Sequence, residues 1–174
     1  MSSPPAPKAI GAISITSDCL RSYLDFPTAL HAHHISTLPY ESLSLRYAKE
    51  VDISLDVRRI LGKFLANGRG GYCMEHSIFF NNVLRALGFP VYLTEARATT
   101  RDGAVHVVNT VTLPDGTKWV SDTGFGGDGM RQPMPLVKHH ITQNIGPQEI
   151  RFEHAGLVNA TNTAPDEKRA WIYQ

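Results

Sequence analysis

One cysteine stands where a nucleophile is expected. Cys73 follows the glycine pair Gly70 and Gly71, and the apolar residues after it recur at helical spacing up to Gly88. This pattern predicts a helix from about Cys73 to about Gly88, with the cysteine in its first turn. Free N–H groups and the positive end of the helix dipole favour a thiolate there. The alternative interpretation is an inert, buried cysteine on a helix.

A cysteine nucleophile usually needs a base, and the base needs an acceptor that orients it. His106 lies in a β-branched run, residues 105–113, that predicts a strand. Asp122 ends another predicted strand, residues 118–122, before a glycine-rich turn. A Pro-Asp-Gly turn joins the two strands, so the aspartate could accept from one imidazole nitrogen while the other faces Cys73. On its own, His106 is more often a satisfied core residue, and Asp122 could be a mere turn former.

The elements upstream of residue 90 are predicted to be helical. The sequence predicts two helices, over residues 17–25 and 27–36, and Pro27 stands in the first turn of the second. Residues 54–65 predict an amphipathic helix. The residues of its apolar face are Leu55, Ile60, Leu61, Phe64 and Leu65.

Beyond Pro90 the pattern becomes that of strands separated by turns. The predicted strands are residues 91–98, 105–113, 118–122, 149–153 and 170–174. We therefore expect an α+β fold: a helical domain, residues 1–90, that carries the nucleophile, and an antiparallel domain, residues 91–174, that carries the histidine and the aspartate. The antiparallel sheet is predicted to close into a small β-barrel.

The composition limits the classes of function. The chain has 174 residues, 42% of them apolar, and a net charge of +1, so it carries no electrostatic footprint of nucleic-acid binding. No apolar run is long enough for a membrane span. The two cysteines make no disulfide framework, which predicts a reducing cytoplasm. The spacing of His31, His33 and His34 does not converge on one ion, and no zinc spacing occurs, so no metal is expected.

Four motifs, in order, resemble the arylamine N-acetyltransferase family. They are Leu-Pro-Tyr-Glu-Ser-Leu at residues 38–43, matching that family's Pro-Phe-Glu-Asn-Leu segment, Arg-Gly-Gly-Tyr-Cys at residues 69–73, the strand carrying His106, and the Asp-x-Gly-Phe-Gly turn at residues 122–126. The resemblance implies a triad of Cys73, His106 and Asp122 in a papain- or transglutaminase-like site between the helical and antiparallel parts. It also implies that Glu41 pairs with Arg69 and supports the nucleophile loop; an exposed glutamate is the alternative.

The family's reaction is implied by the same resemblance. Cys73 would take an acetyl group from acetyl-CoA and pass it to an arylamine or arylhydrazine, with ping-pong kinetics. Gly103 corresponds to a family position near CoA. Gly126 and Gly127, in a glycine-rich turn, could let the phosphate end of CoA approach the backbone, with a structural hairpin as the alternative. Family positions near the acceptor correspond to Val105 and Phe125.

Two departures from the family leave alternatives open. His76 and Ser77 stand where the family usually has an asparagine, and the family's C-terminal α/β region has no counterpart here. We therefore expect a truncated member, with an oligomer or a missing C-terminal segment as open alternatives. The other candidate functions are an inactive or partner-dependent fragment, a thiol hydrolase of papain or transglutaminase type, and transfer of another acyl group such as malonyl.

Overall fold

The computed structural model describes residues 17–51, 53–97, 105–156 and 169–173. The helical elements are α1 (Ser17–Thr37), α2 (Leu43–Tyr47), α3 (Val57–Leu61), a π-helical turn (Gly62–Ala66) and α4 (Cys73–Ala86). The strands are β1 (Val91–Arg97), β2 (Val105–Thr112), β3 (Lys118–Ser121), β4 (Met134–Pro135), β5 (Ile141–Gln143), β6 (Glu149–Gly156) and β7 (Arg169–Tyr173). Helices followed by antiparallel strands make this an α+β fold, as the sequence predicts.

Helix α4 begins at Cys73, where the sequence predicts it, and ends two residues before Gly88. The Glu75 carboxylate accepts the Tyr72 N–H at 3.2 Å and so satisfies one of the amides that the helix start leaves unpaired. Phe80 and Leu84, one turn apart, are almost completely buried. This apolar face holds the helix on the sheet.

Helix α1 is continuous, so the predicted division into two helices is wrong. Pro27 lies inside the helix and is itself buried. A proline in a helix interior costs a hydrogen bond to the preceding turn. Leu24 on one side of it and Leu30 on the other pack against the same core. Packing along the whole helix offsets that loss, since tertiary contacts rather than propensity supply most helix stability.

The predicted helix over residues 54–65 is shorter and changes type. Asp56 caps α3 by accepting the Arg58 N–H at 2.7 Å, and the Asn67 N–H bonds to the Gly62 carbonyl, the spacing of a π-helical turn. Ile60 and Phe64 are buried, as predicted. The other predicted members of the apolar face, Leu55, Leu61 and Leu65, are exposed. The prediction fails for them because Leu55 precedes the helix and the wider turn changes which residues share a face.

The strands form two antiparallel sheets. One has the order β1–β2–β3–β4 and the other β5–β6–β7. In the first sheet Ala96 pairs with His106, and Asn109 pairs with Ser121. The β2–β3 turn contains Gly116 at φ +85°, which explains the glycine of the predicted hairpin. The predicted barrel is not shown, since no strand pairing among the described residues closes the sheets on each other.

Three apolar clusters hold these layers together. One joins α4 to the first sheet through Phe80, Leu84 and Val111. The second lies between the two sheets, where Val120 and Met134 meet Phe152. The third fixes α3 and the π-helical turn to α4. The first cluster matters most for the site, because it sets the distance between the helix that begins at Cys73 and the strand that carries His106.

Candidate active site

The turn before Cys73 is built by backbone contacts. The Gly71 N–H donates to the Pro39 carbonyl at 3.2 Å, and the Gly71 carbonyl accepts the Glu41 N–H at 2.8 Å. A Cβ on Gly70 would stand only 1.7 Å from the Pro39 oxygen. Residue 70 must therefore be glycine for the two segments to meet. Beyond this turn Cys73 opens α4 with its side chain partly buried.

His106 and Asp122 form a buried, charge-assisted pair. The His106 Nε2–H donates to Asp122 Oδ2 at 2.7 Å, and both side chains are largely buried. The other carboxylate oxygen, Oδ1, accepts the Gly124 N–H at 3.0 Å. Asp122 is therefore fixed from both oxygens, and Nδ1 is the imidazole nitrogen that is not bound to it.

The environment raises the pKa of His106 to about 9. Burial alone lowers this pKa, but hydrogen bonds to Asp122 and to Cys73, together with the charges of the same two groups, outweigh burial. His106 is thus held as an imidazolium between a carboxylate and the cysteine. An imidazolium beside a cysteine is the partner that a thiolate nucleophile needs.

Gly124 brings the aspartate loop against the nucleophile. A Cβ at residue 124 would stand 2.6 Å from the Cys73 carbonyl oxygen. The absence of a side chain therefore lets the loop after Asp122 lie directly on the first residue of α4. The sequence pattern places Gly124 in a glycine-rich turn but does not predict this contact.

Three polar side chains clamp α4 to β2 close to the site. The Ser77 hydroxyl donates to the Val107 carbonyl. Asn109 Nδ2 donates to the Ser77 carbonyl at 3.1 Å and its Oδ1 accepts from Asn81 Nδ2 at 2.9 Å. Ser77 is one turn beyond Cys73, and Val107 follows His106. This clamp was not predicted from the sequence. The indication of it in the sequence is an asparagine inside a β-branched strand, because a buried polar side chain needs a partner there.

Glu41 and Arg69 lie in contact. Arg69 donates from Nε and Nη2 to Glu41 Oε1 at 3.1 and 2.8 Å, and Glu41 Oε2 accepts the Leu43 N–H at 2.8 Å. Burial raises the pKa of Glu41, but these hydrogen bonds and the Arg69 and Lys63 charges bring it below its usual range. Lys63 also donates to both oxygens of Glu75, at 3.0 and 2.9 Å. The ion pairs tie residues 41–43 to both sides of the Gly70–Gly71 turn.

A cleft of about 210 Å³ opens beside Asp122. Its apolar wall contains Tyr40 and Phe125, and its polar wall contains Gly126, Gly127 and Arg131. The Phe125 ring also meets the His106 ring edge-on, with 5.4 Å between centroids. An aromatic wall next to glycines and a cation suits a ligand with a flat apolar part and an anionic part.

Two more residues, Gly103 and Val105, were predicted to contact CoA and the acceptor. Gly103 lies outside the described residues. The Val105 backbone begins β2, paired with Arg97, one residue from His106.

The three histidines of α1 have separate surroundings. His31 Nε2–H donates to the Met130 carbonyl at 3.0 Å, and its Nδ1 is 2.8 Å from the Ser121 hydroxyl. His34 contacts His76, and His33 is exposed. Within the described ranges, no three His, Cys, Asp or Glu side chains come together as a metal site would require. In the same part of the chain, no helix combines the length and apolarity of a membrane crossing.

Comparison with known proteins gives consistent matches. The family model described as N-acetyltransferase matches residues 24–172. The arylamine N-acetyltransferase of Escherichia coli K12 is 35% identical over 157 residues, which cover 84% of this chain and 50% of the relative. The arylamine N-acetyltransferase / N-hydroxyarylamine O-acetyltransferase of Salmonella typhimurium is 32% identical over 132 residues, 73% of this chain and 46% of the relative.

Solved structures agree with the sequence matches. The structure of Mycobacterium marinum arylamine N-acetyltransferase in complex with CoA matches with a TM-score of 0.68 and 28% identity, over 76% of this chain and 51% of that one. The chain thus spans about half the length of the proteins it matches.

Proposed function

Since the chain belongs to the arylamine N-acetyltransferase family, we propose that it transfers an acetyl group from acetyl-CoA to arylamines or arylhydrazines by way of an acetyl-cysteine on Cys73. One observation carries the proposal. His106 is bonded through Nε2 to Asp122 at 2.7 Å and also interacts with Cys73. A nucleophile, a base and an orienting acceptor in this order are what covalent acyl transfer requires.

In the first half-reaction the Cys73 thiolate attacks the carbonyl carbon of the thioester. A new S–C bond forms, and the carbonyl oxygen becomes an oxyanion. The Cys73 N–H, at the start of α4, supplies one donor to that oxyanion. The C–S bond to CoA then breaks, His106 gives its proton to the leaving sulfur, and acetyl-cysteine remains.

In the second half-reaction the amine nitrogen of the acceptor attacks the acetyl-cysteine. Neutral His106 takes the proton that the nitrogen loses, and the C–S bond to Cys73 breaks. The thiolate–imidazolium pair is thereby restored, and the product leaves as an amide. Because Asp122 holds the ring through Nε2, the proton moves at Nδ1 in both half-reactions.

The cleft beside Asp122 is the proposed site for the acceptor and for part of CoA. Tyr40 and Phe125 are proposed to provide aromatic faces for an arylamine. Val105, at the start of β2, is proposed as a further acceptor contact on the strength of the resemblance alone. Gly126, at φ +95°, and Gly127 expose backbone for the phosphate end of CoA, near the cation of Arg131. Gly103 is proposed as a further CoA contact on the strength of the resemblance alone.

The intact mass of the protein after mixing with acetyl-CoA, without acceptor, tests the proposal. We expect one acetyl adduct, absent in Cys73→Ala and discharged by an added arylamine. Malonyl-CoA in a parallel sample tests the other acyl group, and a peptide substrate without CoA tests the thiol hydrolase.

The failures are distinguishable. An adduct with malonyl-CoA alone would change the donor and keep the mechanism. Peptide hydrolysis without any adduct would replace the transferase with the hydrolase. Rapid alkylation of Cys73 by iodoacetamide, with neither an adduct nor hydrolysis, would leave an activated cysteine in a fragment that needs a partner.

A further inference from the structure

A buried pair of histidines lies beneath the nucleophile turn and takes no part in the proposed chemistry. His34 on α1 and His76 on α4 are 5% and 1% exposed. His34 Nε2 and His76 Nδ1 are 2.8 Å apart. His76 Nε2 lies 3.2 Å from the Pro39 carbonyl oxygen. The pair thus connects two helices to the segment that runs beside Gly71.

Only one arrangement of protons satisfies these contacts with both rings neutral. A carbonyl oxygen can only accept, so His76 carries its proton on Nε2 and donates to Pro39. His76 Nδ1 is then an acceptor, and His34 donates to it from Nε2. Burial lowers the pKa of both residues, to about 3 for His34, where nearby histidine charges add to the effect. The two bonds therefore form a hydrogen-bond relay of fixed direction, in which His34 donates to His76 and His76 donates to the Pro39 carbonyl.

The Pro39 carbonyl at the end of this relay is shared with the nucleophile turn. It also accepts the Gly71 N–H at 3.2 Å, two residues before Cys73. The next residue, Tyr40, stacks its ring on His76 with 6.3 Å between centroids and 11° between planes. Tyr40 also lines the cleft beside Asp122. A movement of His76 would therefore shift both the turn that presents Cys73 and one wall of the cleft.

If His76 only filled space in the core, its side chain would not need two hydrogen-bonding nitrogens. His76 packs against Phe64, with ring centroids 5.1 Å apart, so an apolar residue of similar size could occupy the same volume. The ring nevertheless has a polar partner on each nitrogen. A buried histidine with two directed hydrogen bonds orients its neighbours, whereas an apolar side chain only excludes water.

We propose that His76, oriented by His34, is a positioning residue that holds the Pro39–Tyr40 segment against the Gly70–Gly71 turn and so aligns Cys73 with the acceptor cleft. The geometric part stands alone, and the catalytic consequence rests on the proposed function. His76 contacts no reacting atom and is not a catalytic residue.

The first test uses the unaltered protein. Nitrogen-15 NMR of the imidazole rings at neutral pH distinguishes the two neutral tautomers. We expect His76 to carry its proton on Nε2, with slow exchange of that proton. A proton on Nδ1 of His76 would overturn the proposal, whatever the variants do.

The second test compares His76→Gln with His76→Leu. Glutamine keeps an N–H donor near the position of Nε2, and leucine keeps the bulk alone. Amide hydrogen exchange at Gly71 and Glu41 should be at least about tenfold faster in the leucine variant and close to wild type in the glutamine variant, because only leucine removes the bond to Pro39. The Leu84 amide, inside α4, is the internal reference. Unchanged exchange at Gly71 in folded His76→Leu would refute the positioning role.

The third test measures the catalytic consequence. His76→Leu should raise the KM for an arylamine about tenfold, and His76→Gln should restore most of it, since the cleft wall at Tyr40 depends on the donor. If the leucine variant does not fold, His34→Leu and His34→Gln make the same comparison one bond further away. If the unaltered protein transfers no acyl group, the proposed function fails, while the tautomer and amide exchange still decide the positioning role.

Discussion

Gly124 lies so close to Cys73 that a Cβ atom at residue 124 would stand 2.8 Å from the Cys73 Cα and 2.6 Å from its carbonyl oxygen. Both of those atoms belong to the backbone of α4, which cannot rotate aside as a flexible side chain can. The N–H of the same glycine bonds to Asp122 Oδ1. One residue therefore couples the position of the acceptor carboxylate to the position of the nucleophile.

Substitution of this glycine should separate the two groups. In Gly124→Ala the added methyl group must displace either the loop or the first turn of α4. We expect acetylation of Cys73 to slow by about 100-fold, since displacements near 1 Å cost that much in aligned reactions. Overpacking should lower the free energy of unfolding by about 1–3 kcal/mol. Single-turnover acetylation and urea unfolding measure the two effects.

The matched control is Gly62→Ala. Gly62 has right-handed backbone angles, and no atom lies within 4 Å of the point that a Cβ would occupy there. Acetylation should stay at the wild-type rate in this variant. Equal rates in Gly124→Ala and Gly62→Ala would show that the close approach to Cys73 has no catalytic importance.

Asp122→Asn should keep the fold and impair the chemistry. If the amide oxygen continues to accept the Gly124 N–H, the amide nitrogen faces His106 Nε2 and donates to it. The imidazole proton then moves to Nδ1, which can no longer accept a proton on the Cys73 side. We expect acetyl transfer to fall by about 10⁴-fold, the scale known for a wrong tautomer in a catalytic triad.

Steady-state transfer and circular dichroism test this expectation, with Asp115→Asn as the control. Asp115 is an exposed turn residue whose Oδ1 accepts the Thr117 N–H, a bond that asparagine can keep. Loss of activity in both variants would point to a general effect of charge rather than to the tautomer.

The bond between Asn81 and Asn109 should show strong energetic coupling. Replacing either residue by leucine leaves the other amide buried without its partner, which costs about 1–3 kcal/mol. The double variant should lose less than the sum of the two single variants, because neither orphaned amide remains. Urea unfolding of all four proteins gives the coupling energy. Additive losses would mean that the two amides are satisfied independently.

Stability should be greatest near pH 6.5. Burial lowers the pKa of His31, His34 and His76 below 6.5, so on acidification the unfolded chain binds protons that the folded chain does not. Stability should fall below pH 6.5 by up to about 1.4 kcal/mol per pH unit for each histidine that stays neutral. The raised pKa of His106, about 9, acts oppositely. Its contribution is complete below pH 6.5 and is lost as the pH rises from 6.5 to 9.

Free energies of unfolding in urea between pH 4 and pH 9 measure both limbs. The comparison with His34→Gln isolates one group, because glutamine cannot titrate. This variant should have a shallower acid limb and an unchanged alkaline limb. An acid limb as steep as that of the wild type would remove His34 as a cause of acid destabilisation.

Local signals predicted the parts of the fold that depend on local chemistry. The start of α4 follows from a glycine pair before an apolar helical period, and the β2–β3 hairpin follows from a Pro-Asp-Gly turn. The continuity of α1 through Pro27 and the π-helical turn were not predicted, because each depends on packing against distant residues. Closure of the barrel and the division into domains at residue 90 stay predictions.

The candidate site also has parts that the sequence predicted and parts that it did not. Cys73, His106 and Asp122 were proposed from their residue types and order, and the structure shows the bond between His106 and Asp122. The contact between Arg69 and Glu41 was expected from the resemblance. The clamp of Ser77, Asn81 and Asn109 was missed because Asn109 lies 28 and 32 residues from its two partners and the three carry no motif. Such a clamp becomes visible only when the register of helix on strand is known. The roles of Val105, Gly103 and the cleft residues stay proposals.

The two hydrogen bonds of His31 bear on the order in which the chain can fold during synthesis. Its partners, Ser121 and Met130, lie 90 and 99 residues further along the chain. Helix α1 therefore leaves the ribosome well before both partners, and its imidazole cannot complete these two hydrogen bonds until residue 130 has emerged. The aspartate loop that α1 supports is made in the same late interval. The helical part and the catalytic loop thus reach their final packing together, only after residue 130 has been translated.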